Sequence, residues 1–447
     1  MTTAFRARLL PKHRGPAAWS AILPPRRPAS PLEGAQTVDV TVIGGGFAGL
    51  SAARRLHQLV PEARIALLDA HGIGSGAAGR NSGFMIDLPH ELTSEDYAGS
   101  GDDRTVIALN RAAQAFAAAA VDDYAINPAY FDRAGKINGA ASTAAHAHNL
   151  SYAAHLESLG EGSEMLDARA MTEVTGSTHY ISGLYTPGTV MLQPAGYVQD
   201  FADGLSRDGI SVYENSPVTG FSRDGSGWIV KTSSGTIRTD KIILTVNGHL
   251  ESFGVAKGRL MHLFLFATMT PELDADALRR LGGQSRWGIT PSDPMGTTLR
   301  RIDTAQGGNR IITRTCAVLR SGMETRATDL DRAALTMQKK FDSRFPQLAG
   351  MKMEHTWAGH LCLTMNCVSH MREIENGVFT GCVQNGLGTA RGTLTGMGAA
   401  ELACGVTSAI TEHFTAEPQA KSLPPRPVRD IGANAVLRWK EWRARVD

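Results

Sequence analysis

The chain alternates short β-branched runs with longer segments of helical period. Val38 to Ile43 (VDVTVI) is a β-branched run that stops at glycines, after which Leu50, Ala53, Leu56 and Leu59 recur at helical spacing. A second run, Arg64 to Leu68, ends at Asp69. The pattern predicts strand, tight turn, helix, strand. Helices are predicted over 104–124, over 145–160, from about Pro194, and over 329–345, with strands at 131–139 and 211–214. Three alternating segments, 218–222, 228–232 and 236–239, are separated by DGSG and SSG and predict a meander. A buried strand, 241–246, closes at Asn247-Gly248. Further strands are predicted at 260–269, 297–302, 310–315, 354–357 and 378–382, and Gly381 to Gly405 reads as a glycine-marked turn entering a long helix of small residues.

The first turn carries chemistry. Gly44, Gly46 and Gly49 bracket Phe47 and Ala48, and Asp69 follows the third glycine by twenty residues. This spacing between a strand and a helix is a dinucleotide fingerprint. One glycine permits the turn, one lets the backbone approach a pyrophosphate, and one lets helix pack on strand. The helix N-terminus offers free N–H groups to phosphate, and Asp69 would accept ribose hydroxyls. A meander before the closing strand is the wiring of glutathione-reductase-type FAD domains, whereas NAD dehydrogenases place a helix there.

At 447 residues and 42% hydrophobic content, the chain has material for two lobes. The expected division is an extended arm over 1–34, an FAD domain from 35–92, 168–255 and 346–414, a substrate domain from 93–167 and 256–345, and a tail over 415–447. The formal net charge of +2 gives no nucleic-acid footprint. Its distribution is uneven, because residues 1–30 carry six Lys/Arg and no acid, residues 421–447 carry seven against three, and the remainder is net −8. Basic ends lying on an acidic body are therefore expected. The tail segment AVLRWKEWRARV reads as an amphipathic basic helix packing through Val436, Leu437 and Trp439. Prolines interrupt the N-terminal stretch, so no signal peptide is expected, and no run approaches the roughly 20 apolar residues of a membrane span. Five cysteines without CxxC spacing predict a reduced, cytoplasmic protein with no bound metal.

The order DVTVIGGGFAGLSAARRL, GIGSGAAGRNSG, strand–meander–strand, Trp357-Ala358-Gly359 and QNGLGTARGTLTG resembles the D-amino-acid oxidase/glycine oxidase superfamily. Its γ-glutamylputrescine oxidase and opine oxidase-like branch is the most similar, over about 35–410. The resemblance implies an α/β fold, a Rossmann-like FAD domain with a meander plus an antiparallel-sheet α+β substrate domain. It implies FAD held by Gly44, Gly46, Gly49 and Asp69, with Arg80, Asn81 and Ser82 near the flavin and Val218 meeting adenine through its backbone. Asn385, Gly386, Gly388 and Thr389 would sit at the pyrimidine edge. Where relatives carry Thr-x-Asp-x-x-Pro, this chain has Thr364, Asn366 and Ser369. Gly359 stands about where some relatives have a flavin-linking cysteine, and Gly79 and Arg80 stand where some dehydrogenases have a linking histidine, so non-covalent FAD is expected.

The implied reaction oxidises the C–N bond of an amine, amino acid or amino-acid conjugate, with hydride transfer to flavin and hydrolysis of the imine; dioxygen or another acceptor then reoxidises the cofactor. Such chemistry needs no strong base, and no nucleophile triad or metal cluster is visible. Arg314 on an alternating strand is a candidate for a substrate carboxylate or for a surface salt bridge. His262, in the apolar strand LMHLFLF, is a core histidine or an active-site one. Trp357, His360 and Gln384 are further pocket candidates. The rival readings are an FAD-dependent monooxygenase, whose late Gly-Asp motif is replaced here by GCVQNGLG, and the FAD-binding subunit of a heteromeric dehydrogenase. A disulfide reductase is excluded by the missing cysteine pair.

Overall fold

The computed structural model describes residues 3–89, 102–293 and 295–447; the expected boundary near 92 lies outside them. The fingerprint segment folds as the strand Gly34–Ile43, the helix Phe47–Leu59 and the strand Ile65–Leu68, joined by the parallel strand Ser211–Tyr213. The carboxyl ends of the first two strands are buried on both faces: Val42 and Leu67 face one core, Ile43 and Leu68 the other.

The meander and the closing strand differ from expectation in one respect. Segments 236–239 and 241–246 are one strand, Gly235–Leu244, because no turn residue separates them. Along one side it pairs throughout with Gly34–Ile43. On its other side the first half takes the meander strand Gly227–Lys231 and the second half takes Val378–Cys382 in parallel. The helix Ala390–Ala403 returns over this sheet and crosses Phe47–Leu59 at a close approach: a Cβ on Gly396 would lie 2.0 Å from Ala48 O. Two helix N-termini are thereby brought together.

The second lobe is an eight-stranded sheet running His355–Leu363, Met261–Met269, Arg310–Leu319, Thr298–Ile302, Trp287–Pro291, Lys136–Ala140, Ser182–Thr186, Glu164–Asp167. Its neighbours are antiparallel except Trp287–Pro291 on Lys136–Ala140. Strands Ser182–Thr186 and His355–Leu363 belong here, although 168–255 and 346–414 were expected in the FAD domain. Each carries residues that pack inside this sheet's cores, such as Leu184 and Ala358. The helix Ala327–Arg344 covers one face through Ala333 and Met337.

The N-terminal arm is more than a surface wrap. Ala4–Arg6 adds a strand to Gly220–Asp224. The short helix Ala18–Ala21 buries Trp19 between the lobes, and Arg26 reaches Glu214, a fully buried carboxylate, at 2.8 Å.

Candidate active site

A long cleft opens at the carboxyl ends of the parallel strands, where ligands bind in open α/β sheets. Gly44, Gly45, Gly46, Phe47 and Ala48 line its floor. Gly44 has φ +108, and a side chain there would strike Thr245 O at 2.7 Å. Gly49 does not face the cleft; its Cβ would fall 1.7 Å from Gly44 O, so it sets how tightly helix meets strand. Gly46 is the helix cap, and a Cβ on it would meet nothing closer than 3.6 Å, so its hydrogen faces open space. No side chain caps this helix, which leaves its first N–H groups available.

Asp69 lies at the end of the second strand, its carboxylate accepting from Gly45 N at 2.8 Å and His71 N at 2.9 Å. Burial raises its pKa more than these two bonds lower it. Val218 lines the same wall. At the far end stand Gln384, Asn385, Gly386 and Gly388, with Gly392 from the first turn of Ala390–Ala403. Asn385 is held by Thr364 N (2.8 Å to Oδ1) and donates to Val368 O (2.9 Å). Thr389 stands at the N-cap position of that helix without a side-chain capping bond and instead donates to Phe84 O at 2.7 Å, away from the cleft lining. A glycine floor, an acid at the second strand end and two uncapped helix N-termini fit a dinucleotide.

Of the three expected loop residues, Asn81 alone lines the cleft. Arg80 turns from it and donates to Ser75 O (2.7 Å), Gly15 O (2.9 Å) and Ala358 O (3.2 Å), tying loop, arm and sheet together. Burial without an acidic partner lowers its pKa to about 10. Ser82 accepts from Arg300 Nη1 through its carbonyl. Trp357, 1% exposed, donates to Arg80 O at 3.0 Å and packs with Trp19; its role is to hold the loop.

His262 is buried behind the wall. Its Nε2 lies 2.7 Å from Glu251 Oε2 and its Nδ1 lies 3.2 Å from Nε2 of His360, which stacks on Phe264 and faces the cleft. Sequence reasoning did not assign the rest of this cluster. His249 follows Asn247-Gly248, a turn read only as the end of a strand, and His13, Leu10 and Leu9 come from the arm. Burial lowers His13 to about 3 and His249 to about 4, and holds His360 well below the ordinary imidazole range. Cys362 also lines the cleft, and burial pushes its thiol well above the usual value.

Arg314 sits elsewhere on the inserted sheet. Its strand partner is Ala267, which pairs on its other side with Trp357. Arg314 therefore shares the sheet face of Trp357 and Arg300, the face packed on residues 80–83. Arg300 is fully buried and donates to Ser82 O and Leu192 O. The Arg314 guanidinium makes no hydrogen bond or ion pair among the described residues. It keeps some accessible surface, yet desolvation lowers its pKa to about 10. It is not among the residues that line the cleft.

Among the described residues no cluster of metal-ligating side chains is present and no helix is long and apolar enough to cross a membrane. The chain is 24% identical to a probable oxidoreductase OrdL of Rhizobium meliloti, over 88% of this chain and 89% of that one. It is 25% identical to the gamma-glutamylputrescine oxidoreductase of Escherichia coli, over 79% and 80%. Its fold matches the glycine oxidase of Geobacillus kaustophilus with a TM-score of 0.69 at 16% identity, covering 84% of this chain and 96% of that one. The family model for FAD dependent oxidoreductases, DAO, matches residues 39–402, so the chain with its glycine-floored cleft belongs to the DAO family of FAD-dependent oxidoreductases.

Proposed function

We propose that this enzyme oxidises the C–N bond of a small amine that also carries a carboxylate, an amino acid or an amino-acid conjugate. The single observation behind the substrate class is Arg314, a desolvated guanidinium that has no partner among the described residues and shares the sheet face of Trp357 and Arg300. An unpaired cation in such a place is costly unless an anion completes it, and a guanidinium takes a carboxylate through two parallel hydrogen bonds. The names of the relatives, a gamma-glutamylputrescine oxidoreductase and a glycine oxidase, support the same class.

Bound FAD would accept a hydride from the carbon next to nitrogen, leaving an imine that water hydrolyses. The chain's part is positioning. Phe47 and Ala48 would give backbone N–H groups to the pyrophosphate, and Asp69 would take the ribose. Asn81, Gln384 and Asn385 would border the ring, and Arg314 would fix the substrate by its acid group. Burial keeps Cys362 a thiol, and a thiol is a poor nucleophile, so FAD is held without a covalent bond.

The test is anaerobic mixing of the purified yellow protein with amines, amino acids and glutamyl-amine conjugates, following flavin absorbance near ~450 nm. Bleaching by carboxylate-bearing amines supports the reading, and readmitted air then separates oxidase from dehydrogenase. Bleaching only by NADPH, with hydroxylation of substrate, would replace it by a monooxygenase.

A further inference from the structure

The C-terminal helix Val428–Arg443 is packed with its polar side inward. The reason lies in the sheet beneath it. Strand Arg310–Leu319 pairs with Thr298–Ile302 only as far as Arg314, so one edge of residues 315–319 has no neighbouring strand among the described residues. Side chains of the helix supply the missing bonds. Glu441 Oε1 accepts from Ala317 N (2.8 Å), Arg438 Nη2 donates to Ala317 O (2.6 Å), and Asn434 takes both Leu319 N (3.0 Å) and Leu319 O (3.2 Å). Asp430 closes the row by accepting from Ser321 Oγ at 2.6 Å. An exposed strand edge invites unwanted pairing, and this row covers it.

The consequence is an apolar side turned to solvent. Val428, Ile431, Trp439 and Trp442 are 66%, 69%, 52% and 61% exposed and, with Ala435, recur at three- and four-residue intervals along one stripe. The sequence expectation that the helix packs through Val436, Leu437 and Trp439 fails at Val436 and Trp439, which are half exposed, while Leu437 is partly buried. The stripe is flanked by cations: Arg443 lies over the Trp439 ring at 5.6 Å and Arg445 over Trp442 at 4.6 Å, and Arg426 is exposed nearby. The helix's two carboxylates, Asp430 and Glu441, are both turned inward. An outward side made of aromatic and aliphatic groups and rimmed by Arg426, Arg445 and Arg443, the last also 3.9 Å from Asp293, complements an anionic lipid surface, where tryptophans settle at headgroup level.

We propose that the helix Val428–Arg443 docks the protein onto anionic bilayer surfaces, lying in the interface without crossing it. The experiment uses the full-length holoenzyme and vesicles of phosphatidylcholine alone or with 30% phosphatidylglycerol, read by flotation and tryptophan emission at low and high salt. Expected are at least roughly tenfold more protein on the anionic vesicles, a blue-shifted emission, and loss of both in 0.5 M salt (about a 5 Å screening length) or in W439S/W442S. That variant alters two exposed side chains, and unchanged circular dichroism and flavin content verify its fold. Absence of flotation with anionic vesicles at low salt overturns the proposal. So does a concentration-dependent dimer that W439S/W442S dissociates while vesicles bind neither form, which would give the stripe to a second copy of the chain.

Discussion

His262 Nδ1 lies 3.2 Å from His360 Nε2, and the opposite nitrogen of His262 lies 2.7 Å from Glu251 Oε2. An ionised carboxylate only accepts, so His262 Nε2 donates to it; with a single ring proton, His262 then offers Nδ1 as acceptor to His360. The row joins a partly exposed carboxylate to a side chain on the cleft wall.

This cluster sets a pH dependence for the cofactor-free protein. Burial depresses His13, His249 and His360, so below about 6.5 the unfolded chain binds protons that the folded one does not. For Glu251 burial raises the pKa, but hydrogen bonds from His262 and Gly258 outweigh it and the net shift is downward. Its stabilisation is present above the unfolded value and lost as pH falls. Both effects have one sign. Stability should fall from pH ~6.5 downward, by up to ~1.4 kcal/mol per pH unit for each affected histidine. Urea unfolding between pH 7.5 and 4.5 measures it, and a flat profile would contradict the burial argument.

Arg314→Met separates binding from folding. If the guanidinium waits for a carboxylate, its loss should raise KM for carboxylate-bearing amines roughly 10- to 100-fold. The same change removes a desolvated, half-buried cation that no described residue pairs with, so the melting temperature should hold or rise. Unchanged turnover and substrate affinity would remove Arg314 from the site. A fall in stability would make it a structural residue.

Gly46 and Gly49 should respond differently to the same substitution. A Cβ at Gly46 has room in the protein, so Gly46→Ala should fold and lose FAD, because the methyl occupies the approach to the pyrophosphate. A Cβ at Gly49 falls on Gly44 O, so Gly49→Ala should fail to give folded protein. Flavin content and circular dichroism of the two variants decide this.

The arm is expected to contribute to both stability and cofactor retention. Arg26→Ala leaves Glu214 buried without its cation, at a cost of roughly 3 kcal/mol. Deleting residues 1–30 also removes Leu9, Leu10 and His13 from the cleft wall, so FAD should dissociate faster in a fluorescence release assay. Equal stability and equal release rates in the deletion would show the arm to be an ornament.

Intact mass of the acid-denatured holoprotein tests the mode of attachment. The expected mass is that of the polypeptide alone. A species heavier by one FAD would place a link at the cleft, with Cys362 the first residue to replace.

What the sequence determined by itself is the part that is local. Strand, glycine turn, helix and Asp69 lie within thirty-two residues, so spacing and propensity suffice to place the glycine floor of the cleft. The meander was legible for the same reason, except that strand Gly235–Leu244 contains no turn residue to mark where its partner changes. Tertiary structure decided what depends on distant segments meeting. Arg80 and Trp357 became supports once Arg14, Gly15 and Trp19 arrived from the arm, and His13, His249, His262 and His360 converge from three separate stretches. For Arg314 the sequence left a substrate carboxylate and a surface salt bridge both open, and only the folded chain shows that none of the described residues pairs with it. The tail helix carried the signature of a helix burying its apolar side, yet the open edge at 315–319 required hydrogen bonds that only its polar side supplies. Periodicity reports that a helix has two sides, and the surface it meets decides which is buried.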